Sequence, residues 1–300
     1  MEKKYTSIRV LSMCDGISVG QLALKNLNIP VQTYFSSEID KNCIKTTQHN
    51  FPNTIQVGDV KNVNGHELGK VDLVLCGSSC QNLSIMNGSS RFGLEGEKSS
   101  IFYECVRVLN EVKKNNPNYL FIFENVQMPA RDLKIFQELL RARPINLNSS
   151  LLGPVNRNRL YFTNIERITI PRDNGAVLSD IITDGFVDRK KANAVLTKNV
   201  PYTRNGLIRY LKKSLGQVAF HDKAFAELPK KEKLKAIESM ADEQVKSLFR
   251  LFTLQEIEQL QGLPIGYVSS VIKPTPCLRS SGNAFDSRVF EYLLSFADFG

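Results

Sequence analysis

The sequence predicts an α/β fold, a doubly wound and mostly parallel sheet that carries a smaller second domain. Three observations point there. Short apolar runs alternate with amphipathic stretches through the first half, the first run passes into a glycine turn and then a helix, and this alternation stops beyond Ile165. With 300 residues and 42% hydrophobic content the chain has room for one large domain and a smaller one.

The first unit is Ile8 to Met13, read as a buried strand, followed by Cys14-Asp15-Gly16-Ile17-Ser18-Val19-Gly20 and an amphipathic segment from Gln21 to Leu27. Strand, glycine turn and helix together form the opening of a nucleotide-binding α/β fold; the glycines let a ligand approach the backbone and the helix start offers free N–H groups. Val31 to Ser37 reads as the second strand and ends in Glu38-Ile39-Asp40. An acid roughly 20 residues after the glycine turn is where such folds hold ribose hydroxyls, so an adenosine-bearing cofactor is expected. Asp40 then caps a helix to about His49, and a short strand from Ile55 to Val57 ends in Gly58-Asp59-Val60. Asp59 either accepts from an adenine amino group or caps a turn.

Val71 to Cys76 is the fourth strand and runs into Gly77-Ser78-Ser79-Cys80-Gln81-Asn82-Leu83-Ser84. A thiol at the C-terminal lip of a parallel strand stands where open α/β sheets build their sites, although the segment taken alone reads first as a small buried hydrophobe. The polar connection through Gly88, Gly93 and Gly96 to Lys98 is long enough to be a lid or binding loop. A helix then runs through Val106, Leu109 and Val112 to the stop at Asn115 to Asn118. The fifth strand, Tyr119 to Phe123, ends at Glu124-Asn125-Val126, a polar site or a turn cap.

Ile168 to Gly175 reads as a strand end and linker. Ala176 to about Phe252 is a second domain, in which Leu228 to Leu251 is helical and charged, a solvated scaffold more than a reader of bases. Thr253 and Glu256 form a capping box for a helix to about Gln261, and Ala284 to Phe296 is a final helix expected to return to the first domain. The expected boundaries are 1–170, 171–272 and 273–300.

The net charge of +9 favours a polyanionic partner. Its distribution is more telling: Arg189 to Lys213 holds eight basic residues and no acid, with Tyr202 and Tyr210 interleaved, which suits phosphate contacts or a solvated face. Six cysteines at irregular spacing with no Cys-x-x-Cys pair, and three histidines, argue against a zinc site and for reduced thiols. No apolar run approaches the roughly 20 residues that span a bilayer, so a cytosolic protein with no membrane partner is expected.

Taken together, Val10-Leu11-Ser12-Met13-Cys14-Asp15-Gly16-Ile17, the Cys80 segment, Glu124-Asn125-Val126, Asn156-Arg157-Asn158-Arg159-Leu160-Tyr161-Phe162 and Ser281-Gly282-Asn283-Ala284 resemble the DNA cytosine C5-methyltransferases, closest in wording to the de novo branch of the animal enzymes. The resemblance covers nearly the whole chain and implies a Rossmann-like class I methyltransferase fold. It implies Cys80 as nucleophile, Glu124 at N3 and N4 of the base, and Arg157 and Arg159 as the family's two-arginine motif. It further implies that Cys14, Asp15, Gly16, Ile17, Gly20, Glu38, Ile39, Asp59, Val60, Asn283 and Ala284 surround S-adenosylmethionine. DNA contacts are expected from Ser79, Gln81, Asn82, Ser84 and Arg91 in the loop and from Lys190, Lys191, Tyr202, Arg204, Asn205 and Arg209, where the family's recognition region begins. Leu178 to Ile182 and Gly262-Leu263-Pro264-Ile265-Gly266-Tyr267 are further family wording. The chain departs from the pattern at Ser79, where the family has proline, at Cys14, where an aromatic residue is usual, and at Val155, often glutamine.

The chemistry explains the residue types. A thiolate adding at C6 of cytosine makes C5 nucleophilic, and an acid at N3 and N4 compensates the charge on the ring. In a duplex the base must first be flipped out, at a cost of a few kcal/mol. The expectation is therefore methylation of cytosine in duplex DNA by a prokaryotic or phage-encoded enzyme, as a monomer. An RNA cytosine methyltransferase of the same fold, like the tRNA-specific relatives, and a catalytically inactive DNA-binding relative, suggested by Ser79, are the alternatives.

Overall fold

In the computed structural model, which describes residues 6–77, 100–195, 201–214 and 216–300, the first apolar run forms β1 (Ile8–Met13), wholly buried except near Arg9. The chain continues through α1 (Val19–Asn26), β2 (Val31–Ser37), α2 (Lys41–Asn50), β3 (Ile55–Gln56), β4 (Leu73–Cys76), α3 (Ser100–Asn115), β5 (Leu120–Asn125), α4 (Ala130–Leu140) and β6 (Pro144–Asn148). After β7 (Val155–Asn156) comes β8 (Asn158–Thr163). Among the described residues, seven of these strands form one sheet in the order β3-β2-β1-β4-β5-β8-β6. The pairs from β3 to β5 are parallel, with Val10 opposite Tyr34 on one side and Leu73 on the other. β8 runs antiparallel to both of its neighbours, β5 and β6.

Side chains that alternate along β8 meet helices on both faces of the sheet. Phe162 lies 5.4 Å from Phe136 of α4, which stacks at 3.7 Å on Phe102 of α3. Tyr161 points the other way, 6.2 Å from Phe290 of the last helix, α11 (Ser287–Leu294), whose Glu291 accepts a 2.7 Å hydrogen bond from Asn26 of α1. The sheet is thus covered on both faces, which is why its strands read as near-continuous apolar runs. β5 runs two residues beyond the expected stop, so Glu124 and Asn125 lie within its pairing with β8.

Two compact units result. The first comprises the chain up to Asn148, Asn158–Ile170 and Phe285–Gly300; the second comprises Ser149–Arg157 and Pro171–Ala284. These edges differ from the expected 1–170, 171–272 and 273–300 in two places, each with a local cause. β7 pairs in parallel with β9 (Ala192–Asn193), which draws Ser149–Arg157 into the second unit. Gly282, near the end of α10 (Pro274–Asn283), lies flush on Val195, so 273–284 also belongs there.

The second unit is a set of short elements. α5 (Arg204–Lys213) is capped by Thr203 and buries Leu207, Tyr210 and Leu211 at helical spacing, so the expected DNA contacts Tyr202, Arg204 and Asn205 fall at a helix start. β10 (Val218–Phe220), α6 (Lys223–Glu227), α7 (Lys230–Ser239), α8 (Asp242–Lys246) and β11 (Phe249–Leu251) follow. The continuous helix expected over Leu228 to Leu251 is interrupted: α7 ends with an extended Met240, and Phe249 to Leu251 pairs antiparallel with β10. α9 (Leu254–Leu260) starts at the expected capping box, with Thr253 and Glu256 each holding the other's backbone N–H.

Candidate functional site

The turn from β1 to α1 is tightly wound, with Cys14, Gly16 and Ser18 all at left-handed φ, 53°, 60° and 56°. Asp15 fastens it. Its buried carboxylate accepts from Ser18 Oγ, from Ser36 Oγ at 2.8 Å and from Tyr34 OH at 2.9 Å. Burial pushes this carboxyl above the ordinary aspartate range, against the opposing pull of those hydroxyls. Asp15 therefore acts on anything bound here through the backbone it holds. Ile17 and Val60 are likewise core residues, and Gly20 serves packing, since a Cβ there would stand 2.3 Å from Leu75 Cδ1.

The groups that line open space form a smaller set. Gly16 and Gly58 both have positive φ and nothing within 4 Å of a built Cβ. Gly16 N–H donates to Glu38 Oε2 at 2.8 Å, while Glu38 Oε1 accepts from the backbone N–H of Ile39 and Asp40, both at 2.8 Å. Glu38 thus joins the end of β2 to the glycine turn, and beside it Ile39 is 67% exposed. Asp59 caps the turn Val60–Asn62 by accepting from Lys61 N–H at 3.0 Å. Gly58 was not singled out from the sequence; its signal, a glycine directly after a strand, is too common to stand out. The donor and acceptor set suits a ribose and adenine: a carboxylate at a strand end, two glycines leaving room, and an exposed aliphatic face.

At the same sheet edge, Glu124 of β5 is cross-strand partner to Tyr161, and Arg159 lies two residues before Tyr161 on the same face of β8. That diagonal brings Arg159 Nε to 3.0 Å from Glu124 Oε1, with only 8% of Glu124 exposed. Asn125 turns its carboxamide onto Val126 N–H at 2.8 Å, the turn-cap alternative. Gly77, which follows β4, is covered by Phe285, whose ring carbons lie 2.6 to 2.7 Å from a built Cβ.

Cys80 and the loop residues Ser79, Gln81, Asn82, Ser84 and Arg91 lie outside the described residues. Cys14, Cys76 and Cys105 lie together where β1, β4 and α3 meet. A hydrogen bond between Cys14 and Cys105, together with burial, pushes the Cys14 thiol well up; burial raises Cys277 to about 11. Neither environment favours a thiolate.

In the second unit, Arg157 is buried and donates from Nη2 to the carbonyl of Ala284 at 2.9 Å, tying down the residue next to Asn283 at the end of α10. The basic stretch divides. Lys191 Nζ is spent on the carbonyls of Ser150 at 2.7 Å and Gly153 at 3.2 Å and on Asp173 at 3.2 Å. Arg204 pairs with Asp242 at 2.8 Å and with the carbonyl of Met240. Arg189 bonds Asp188 at 2.7 Å and lies over the ring of Tyr210. Both expected DNA contacts among these, Lys191 and Arg204, are therefore built into the fold. Lys190, Tyr202, Asn205, Arg209, Lys212 and Lys213 are exposed, the last four along one side of α5. Among the described residues no cluster of His, Cys, Asp and Glu could hold a metal ion, and no helix is long and apolar enough to cross a membrane.

Known proteins share parts of this sequence and this fold. Residues 8–141 match the family described as C-5 cytosine-specific DNA methylase. The chain is 28% identical over 204 residues to the orphan methyltransferase M.Rho11sI of Bacillus phage rho11s, covering 63% of this chain and 39% of that protein. It is 35% identical over 118 residues to the rice DNA (cytosine-5)-methyltransferase DRM2, covering 35% of this chain and 20% of that one. The match thus spans about two fifths or less of these relatives. Among solved structures, the Entamoeba histolytica methyltransferase EhMeth superposes with a TM-score of 0.70 at 14% identity, covering 97% of this chain and 98% of that one. A mutant of Spodoptera frugiperda DNMT2 gives 0.68 at 19%, covering 97% and 99%. At these identities the likeness is one of fold, the Rossmann-like class I methyltransferase fold.

Proposed function

We propose that the chain, whose residues 8–141 match the family described as C-5 cytosine-specific DNA methylase, methylates C5 of cytosine in duplex DNA, with S-adenosylmethionine as donor and Cys80 as nucleophile. The observation that carries the reading is the Glu124–Arg159 pair at the C-terminal edge of the sheet, 3.0 Å apart and largely shielded from water. S-adenosylmethionine, when bound, supplies a methyl group activated by its sulfonium. Gly16, Glu38, Ile39, Gly58 and Asp59 would hold it, an assignment supported by the room beside both glycines and the carboxylate that bridges β2 to the first turn.

β4 carries the chain to the same edge and ends at Cys76, four residues before Cys80. In this reading the target base leaves the stack, the Cys80 thiolate adds at C6, and the electron pair displaced onto C5 makes that carbon nucleophilic. Glu124 meets N3 and the N4 amino group, where charge builds during addition. Arg159 fixes the carboxylate's rotamer and contributes positive potential beside O2. Loss of the C5 proton and elimination of the thiol then restore the aromatic ring.

The test is to incubate the purified protein with radiolabelled S-adenosylmethionine and, separately, duplex DNA and RNA. Label in DNA, together with a covalent adduct on duplexes carrying 5-fluorocytosine that Cys80→Ala abolishes, is the expected result. Label in RNA alone would move the substrate to RNA, and no label in either would leave a binding module.

A further inference from the structure

Along one stripe of α3, Glu104, Arg107, Glu111 and Asn115 recur at three- and four-residue spacing, and the last three bond the chain between Val60 and Gly69. Arg107 uses all three nitrogens. Nε bonds Glu104 at 2.8 Å, Nη1 bonds Glu111 at 2.8 Å and the Val63 carbonyl at 3.0 Å, and Nη2 bonds the carbonyls of Val60 at 3.1 Å and Lys61 at 3.3 Å. Glu111 completes the clamp by accepting from Gly65 N–H at 2.8 Å. Gly65 lies so close to the helix that a Cβ would stand 2.9 Å from the carbonyl of Val108. The three carbonyls held by Arg107 belong to the single turn whose N-cap is Asp59.

A planar fork that gathers three carbonyls fixes that turn as a lysine could not. We propose that Arg107 is a positioning residue for the adenosine end of the donor site: by clamping Val60, Lys61 and Val63 it sets the direction in which Asp59 presents its carboxylate. The inference rests on the reading of Asp59 given under Proposed function. It assigns a role in donor affinity to a helix residue that touches neither donor nor base.

The test is calorimetric titration of S-adenosylmethionine into the wild-type protein, Arg107→Met, Arg107→Lys and Asn115→Ala, with steady-state kinetics beside it. Arg107→Met should weaken donor binding about 5- to 20-fold and raise its KM in step, leaving kcat at saturating donor and the KM for DNA within about twofold. Arg107→Lys should fall between. Asn115→Ala, which releases only the Gly65, His66 and Gly69 carbonyls at the far end of the stripe, should lower the melting temperature without moving donor affinity. Donor affinity within twofold of wild type for folded Arg107→Met, or for Arg107→Lys where the methionine variant does not fold, overturns the proposal, as does an equal loss in Asn115→Ala. A wild-type protein that binds no S-adenosylmethionine overturns the functional reading instead.

Discussion

Glu124 and Arg159 show how a site residue is placed by strand register. β5 and β8 are 33 residues apart in sequence from Asn125 to Asn158, yet their antiparallel pairing fixes the carboxylate and guanidinium as diagonal neighbours. Glu124→Gln keeps the shape and removes the ionisable proton, so single-turnover methyl transfer should slow by roughly 100-fold or more while DNA affinity changes little. Arg159→Lys keeps the charge but not the fork, and a loss of roughly 10-fold is expected in the same assay. At this scale the sequence was partly legible. The wording around Asp15 marked a cofactor turn, but that its carboxylate would be consumed by Tyr34 and Ser36, beyond the neighbouring Ser18, follows only from folding β2 beside β1.

Among elements, the two glycines that open α1 make a pair of opposite predictions. Gly20→Ala drives a Cβ into Leu75 between helix and sheet, an overpacking that costs about 1 to 3 kcal/mol and should lower the melting temperature by several degrees. Gly16→Ala has room for its methyl but must adopt a φ of 60°, so a loss of about 1 to 2 kcal/mol is expected together with weaker donor binding. Denaturation and donor titration on both variants separate packing from access. The α9 cap adds a pH signature. Burial alone would raise Glu256, but hydrogen bonds from Arg250, Thr183 and Thr253 outweigh it and hold the carboxyl at about 2. A depressed acid stabilises the fold above its unfolded pKa, so its contribution, of order 3 kcal/mol, should be whole above about pH 5 and fade as pH falls from about 4.5 towards 2. Urea midpoints of the wild type and Glu256→Gln should accordingly differ widely at pH 6 and converge only as the pH nears 2. That cap was readable because both partners sit within one turn. The Phe249–Leu251 strand was not, because its pairing partner begins at Val218.

For the molecule as a whole, the charge that suggested a polyanionic partner is distributed unevenly between fold and surface. If duplex DNA lies on the exposed side of α5, Arg209→Ala or Lys213→Ala should each flatten the log–log salt dependence of binding by about one unit. Lys191→Ala and Arg204→Ala should leave that slope alone and reduce stability instead, because their partners are Ser150, Gly153, Asp173, Met240 and Asp242. Fluorescence anisotropy across a salt series, with melting curves alongside, reads both. No inspection of the run from Arg189 to Lys213 could have sorted these residues, since each partner of Lys191 and Arg204 lies at least 18 positions away along the chain. The sheet was legible for the complementary reason: each strand announces itself locally by its apolar run and the turn that follows. One consequence of the division into units concerns the order of events on the ribosome. The first unit is interrupted by Pro171–Ala284 and completed by α11, whose Phe290 packs on Tyr161. All of the second unit has therefore been synthesised before α11 emerges to join α1 on the large sheet, so the part of that apolar face that α11 covers waits bare through more than a hundred residues of translation. Such a chain has reason to depend on a chaperone, or on slow growth temperature, for its yield.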